Sequence, residues 1–224
     1  MIAEIKNLSK KFGDISILND VNFNIEGGNI YCLLGRNGVG KTTLLKIIAG
    51  LISYDKGKIK ISNQDDNREA FYFIPDSPIF LDYLSGYDNL RFIQSVVEKE
   101  EHYNILDLSR KFGLESFIHK LVVEYSQGMK EQLALLSGFL VEPNVLILDE
   151  PLTSLDPINI AIMKKSLTDY VSNHNSVLIS THLLPIAYQL SNKIIFLHEG
   201  HAQVIQNDFE TLNRLEDEVL NRLK

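Results

Sequence analysis

Gly35-Arg36-Asn37-Gly38-Val39-Gly40-Lys41-Thr42 has the residue types and spacing of G-x-x-x-x-G-K-[ST], a pattern that holds phosphate. Its glycines let the chain curl until backbone N–H groups point at phosphate oxygens, and a helix beginning there adds positive dipole. Lys41 is expected to contact the β- and γ-phosphates and Thr42 to place its hydroxyl on Mg²⁺, with Thr43 in the same phosphate-binding set. About a hundred residues later, Val145-Leu146-Ile147-Leu148 ends in Asp149-Glu150. Asp149 can hold Mg²⁺, directly or through water, and Glu150 can polarise an attacking water. His182, closing Ser180-Thr181-His182, can hydrogen-bond a γ-phosphate while holding Glu150 and the water in place. Together these residues describe hydrolysis of a nucleoside triphosphate.

Such residues act only if strand ends deliver them to one edge. Ile30 to Leu34, Val145 to Leu148 and Val177 to Ile179, the last within a strand from Ser176, are continuous apolar runs, the pattern of strands buried on both faces of a parallel sheet. Lys41 to Ala49 switches to helical spacing, with Leu44, Leu45, Ile48 and Leu51 on one stripe. Strand, glycine loop and helix therefore follow in succession, as the phosphate pattern requires. Val21 to Ile25 alternates in period two, Gly27-Gly28 is a turn, and Asp55-Lys56-Gly57 reads as a hairpin turn into Lys58 to Ile61. Phe71 to Ile74 is a short strand stopped by Pro75.

From about Tyr83 to Val141 the pattern is largely helical, which predicts a helical lobe inserted in an α/β core. Pro157 to Val171 reads as a helix, Lys193 to Leu197 and Ala202 to Ile205 flank a Glu199-Gly200 hairpin, and about 208 to 224 forms a last helix. That helix either closes the core or serves as a regulatory or dimer contact. The expected architecture is α/β, a mostly parallel sheet with an N-terminal antiparallel portion, in one domain over residues 1–224.

At 224 residues and 45% hydrophobic content the chain can bury a sizeable core. Its net charge of −7 argues against nonspecific binding to a nucleic-acid backbone, and nucleic acid is not an expected partner. The single cysteine, Cys32, lies in an apolar run and reads as core packing in a reducing compartment. Neither a signal peptide nor an apolar run approaching a membrane span is found, so a membrane role requires a partner that supplies the spans.

From about Ile2 to Ile205 the order of motifs resembles the ATP-binding cassette (ABC) ATPase family. Tyr125-Ser126-Gln127-Gly128-Met129 stands about twenty residues before Asp149, where that family has its signature motif. A serine hydroxyl and small-residue amides at a helix N-terminus make an anion site, although a serine N-cap alone would look the same. The resemblance implies that Ser126 and Gly128 face the γ-phosphate bound by another subunit, so that two ATP molecules are sandwiched between two chains. It also implies a D-loop at Ser154-Leu155-Asp156, with Asp156 in the nucleotide-binding set, and an adenine platform at Phe12. Phe12 could equally be a core aromatic near an N-terminal strand.

Two departures stand out. The family usually has Leu-Ser-Gly-Gly-Gln, and here Tyr125, Gln127 and Met129 replace the first, third and fifth residues. After Phe73-Ile74-Pro75 the family's usual glutamine is Asp76, which can still orient a Mg²⁺-bound water and is counted as nucleotide- and metal-binding. Both variants look like the exporter branch in which ATPase and membrane protein are separate chains. The resemblance thus implies an ATP- and Mg²⁺-dependent ATPase at the cytoplasmic face of the cell membrane, paired with itself or a homologous ATPase chain and with a separate permease. The alternative is a soluble ABC ATPase acting on ribosomes or DNA. Such proteins carry two cassettes or long inserted coiled coils, whereas this chain has one phosphate loop and no sustained heptads.

Overall fold

The computed structural model describes residues 1–62, 70–97, 103–151 and 157–222. Its centre is a six-stranded sheet in the order β5-β6-β7-β3-β8-β9. The strands are β3 (Ile30–Leu34), β5 (Phe71–Ile74), β6 (Val145–Asp149), β7 (Ser176–Ser180), β8 (Lys193–His198) and β9 (His201–Gln206). The first five run parallel and β9 turns back antiparallel on β8. Every residue of β3, β6 and β7 is buried, which is why these segments read as unbroken apolar runs.

Successive side chains serve opposite faces. Tyr31 and Leu33 join one core with Leu44, Leu45, Ile47 and Ile48 of helix α1 (Lys41–Ile48), while Cys32 and Leu34 pack beside Ile194 and Phe196 on the other face. Burial raises the Cys32 thiol well above the ordinary cysteine range, so Cys32 is packing and no nucleophile.

A second, antiparallel sheet has the order β2-β1-β4, from β1 (Ala3–Phe12), β2 (Ile15–Ile25) and β4 (Lys56–Ile61). Here one expectation fails. Asp55-Lys56-Gly57 makes no hairpin turn, because Lys56 and Gly57 already belong to β4 and Lys56 pairs with Ser9 of β1, far back in the chain. Gly57 adopts φ +101 where the register shifts between Lys6 and Ser9, and any side chain there would meet the Asn7 carbonyl at 2.5 Å. The glycine marks a bulge.

Between β5 and β6 come α2 (Gly86–Val96), α3 (Ile105–Lys111), a short 3-10 turn (Val122–Glu124) and α4 (Gln127–Val141). Leu90, Phe112, Leu133 and Leu136 bury their side chains against Leu146, Leu148 and Ile179 of the sheet. Gly138 lets α4 lie directly on the sheet, since an added Cβ would sit 2.6 Å from Leu146 Cδ1. Beyond β6, α5 (Pro157–Ser172) covers the same face.

Helix α6 (Leu184–Leu190) and the last helix, α7 (Leu212–Arg222), pack on β8. Leu215 is fully buried against Ala187, Ile194 and Phe196, so α7 closes the core and begins four residues later than its expected start at about 208. Among the described residues no helix is long and apolar enough to cross a membrane.

Candidate active site

Parallel strands carry their C-terminal ends to one edge, and β7 lies between β6 and β3. Asp149 is in register with Ser180 on one side, and Ser180 with Leu33 on the other. The carboxylate pair, the Ser180-Thr181-His182 segment and the glycine loop after Leu34 therefore converge in the crevice where open α/β sheets place ligands.

The loop is curled by Gly38 at φ +79 and Gly40 at φ +111, conformations that L side chains avoid. Gly40 is also the N-cap of α1 and offers no side chain to the first-turn N–H groups, which stay open to an anion. Lys41 is 7% exposed, and its Nζ donates to the Gly35 carbonyl at 3.0 Å and lies 3.7 Å from Glu150 Oε1. Phe12, Ile17, Asn37, Gly38, Gly40, Lys41, Thr42, Thr43 and Glu150 line a cleft of about 380 Å³. Arg36 is exposed, its carbonyl accepting from Val39 N at 3.3 Å, while Val39 is half-buried on the core side of the loop.

Glu150 has φ +48, which turns its carboxylate from the strand end toward the loop. There Oε2 accepts from His182 Nδ1 at 2.8 Å and from the His182 amide at 3.2 Å. Asp149 is 5% exposed and accepts from Ser180 Oγ at 2.6 Å. The adjacent carboxylates thus face different partners, Glu150 a cation and a histidine, Asp149 a buried hydroxyl. The possible metal donors, Thr42 and Asp149, are few and all oxygen. That suits Mg²⁺, which keeps several waters and binds substrate phosphates instead of a full protein cage. No group of three or more His, Cys, Asp or Glu that could form such a cage occurs among the described residues.

Phe12 is 52% exposed at the end of β1, so it is no core aromatic; Lys10 Nζ stands 5.2 Å from its ring centroid and the ring borders the cleft. Asp76 is exposed after Pro75 and does not line the cleft. Ser126 is the N-cap of α4, its Oγ accepting from Met129 N at 3.3 Å, and neither it nor Gly128 lines the cleft of its own chain. Ser154-Leu155-Asp156 lies outside the described residues.

Two residues escaped sequence reasoning. Ile17 lines the cleft from β2 and touches the loop at Gly40, and Ser180 bonds both acidic residues. A hydroxyl ending an apolar strand directly before Thr181-His182 was the available signal for Ser180.

The ABC transporter family profile matches residues 18–153. The lantibiotic transport ATP-binding protein SrtF of Streptococcus pyogenes is 34% identical over 226 residues, covering 99% of this chain and 97% of SrtF. A solved ATP-binding subunit of an ABC transporter superposes with a TM-score of 0.89 at 28% identity, covering 98% of this chain and 100% of that one. The structure of cbiO1 from Clostridium perfringens, part of the ABC transporter complex cbiONQ, gives 0.80 at 25% identity, covering 99% and 93%.

Proposed function

The chain belongs to the ABC transporter family as an ATP-binding, ATP-hydrolysing subunit, and from that premise we propose that it drives export through a separate membrane-spanning chain at the cytoplasmic face of the cell membrane. Residues 1–224 act as one ATPase unit, with the helices between β5 and β6 as an inserted lobe. The observation that carries the hydrolytic part is the convergence of Lys41, Asp149, Glu150 and His182 from three strand ends at one edge of the sheet, where Lys41 and Glu150 line the cleft.

In this reading the loop amides and the start of α1 receive the phosphates, and Lys41 supplies positive charge at their β–γ end. Thr42 and Asp149 would hold Mg²⁺, which when bound neutralises charge developing on the phosphoryl oxygens. Glu150 orients water for in-line attack on the γ-phosphate and accepts its proton, and His182 fixes the carboxylate that does so. Phe12 offers an exposed ring to adenine. Ser126 and Gly128 lie off their own chain's cleft, which suits an arrangement in which they close the cleft of a second ATPase chain. Asp76 would approach the metal-bound water once nucleotide is in place.

Export is favoured by Tyr125-Ser126-Gln127-Gly128 and by Pro75-Asp76, the variants of the two-chain exporter branch. SrtF is named for lantibiotic transport, and we take an antibiotic peptide as the cargo class, selected in the membrane chain. The test is to pull down tagged Glu150→Gln chain with ATP from detergent-solubilised native cells. A co-purifying multi-span membrane protein that stimulates ATP hydrolysis by the wild-type chain is expected. Ribosomal or DNA-bound partners with no membrane chain would leave the ATPase chemistry standing and remove transport.

A further inference from the structure

We propose that Ser180 is a positioning residue of the hydrolytic site, one buried hydroxyl that sets both the metal-facing carboxylate of Asp149 and the backbone of Glu150. The proposal rests on the reading of the cleft as an ATPase site.

Ser180 is fully buried at the end of β7, the strand between β6 and the strand that leads into the phosphate loop. Its Oγ donates to Asp149 Oδ1 at 2.6 Å and accepts from Glu150 N at 3.0 Å; the same N–H also points at the Ser180 carbonyl at 3.1 Å. A hydroxyl has one proton to give. Here that proton goes to the 5% exposed Asp149 carboxylate, a short bond that ties up Oδ1 and leaves Oδ2 for a metal.

The acceptor side has a second effect. Glu150 sits at φ +48, unfavourable for a side chain with a Cβ, and its amide is clamped in that conformation by Ser180. That conformation directs Oε1 toward Lys41 and Oε2 toward His182. One serine thus couples the metal ligand to the water-orienting base, and β7 is the only described strand in register with both β6 and β3.

The decisive measurement compares wild type, Ser180→Ala and Ser180→Thr for binding of a fluorescent ATP analogue, in chelator and across a Mg²⁺ titration, alongside ATP turnover and the unfolding midpoint. Partners that orient metal ligands typically contribute about 10- to 100-fold to metal affinity or activity. We expect Ser180→Ala to stay folded and bind the analogue in chelator within about twofold of wild type, to need about tenfold more Mg²⁺ for half-saturation, and to lose about 10- to 100-fold in kcat with little change in KM. Ser180→Thr, which keeps the hydroxyl, should retain wild-type Mg²⁺ dependence. Unchanged Mg²⁺ half-saturation in Ser180→Ala would overturn the proposal, as would metal-free binding that falls as far as Mg²⁺-loaded binding. A wild-type chain that binds nucleotide with Mg²⁺ but never hydrolyses it would overturn the ATPase reading instead, and the binding arm would still decide the role of Ser180.

Discussion

Glu150 and His182 are joined twice through a single oxygen, Oε2, which accepts from the histidine's Nδ1 at 2.8 Å and from its backbone amide at 3.2 Å. A carboxylate can only accept, so Nδ1 carries the proton and Nε2 is left for another partner. The second oxygen, Oε1, faces Lys41 Nζ at 3.7 Å. The base is therefore oriented before substrate arrives.

From this follows the expected behaviour of Glu150→Gln. The amide keeps the shape and can still accept from the His182 backbone, but it cannot take a proton from water. Phosphate release should fall at least about 100-fold while ATP affinity stays within a few-fold of wild type. Light scattering should show an ATP-dependent dimer. Full turnover in this variant would remove Glu150 from the role of base.

Phe12 gives a separable prediction. An aromatic stack contributes about 0.5–1.5 kcal/mol, so Phe12→Ala should weaken ATP binding roughly two- to twelvefold and Phe12→Tyr should not. Half the ring is exposed, so the unfolding midpoint should move little. Binding of inorganic tripolyphosphate, which has no base to stack, should be unchanged; an equal loss for both ligands would show that Phe12 acts on the loop and not on adenine.

The hydrolytic elements were legible because their chemistry sits in contiguous residues and their strands are buried on both faces. The phosphate loop needs only Gly35 to Thr42 and its flanking strand and helix, and β3, β6 and β7 announce themselves as apolar runs. What depends on pairing between distant segments was not. The Ser180–Asp149 bond exists only because β6 and β7 align in one register. Strand β1 gave no signal of its own, because Asn7 at φ +51 and repeated register shifts break its alternation. Helix α6 is seven residues long and contains Pro185, too little for a helical stripe to emerge.

Gly40→Ala tests whether the loop's curl is required. A Cβ at position 40 would lie 2.6 Å from Ile17 Cγ2, at a φ of +111 that alanine resists. Strain of this kind costs about 1–3 kcal/mol. The variant should therefore unfold at a lower temperature and bind ATP at least about tenfold more weakly. Wild-type affinity with a lowered midpoint would mean that the curl serves the fold alone.

Alkaline stability follows from the buried tyrosines. Burial raises the hydroxyls of Tyr31, Tyr72 and Tyr170 above the usual tyrosine range and pushes Tyr125 up to about 12. Because the folded values are raised, the unfolded chain loses its protons first. The stabilisation is complete below about pH 10, the unfolded tyrosine value, and is lost as pH rises through the folded values. Each proton released on unfolding steepens that loss by about 1.4 kcal/mol per pH unit. Thermal unfolding followed from about pH 9 to 11.5 should show a midpoint that falls ever faster, with a further rise in tyrosinate absorbance at the transition. Tyr170, whose hydroxyl donates to the Pro143 carbonyl, offers the control. Tyr170→Phe should lower stability by about 1 kcal/mol near neutrality, through the lost hydrogen bond, yet flatten the alkaline slope by one proton. An unchanged slope in that variant would mean that Tyr170 ionises as readily in the folded chain as in the unfolded one.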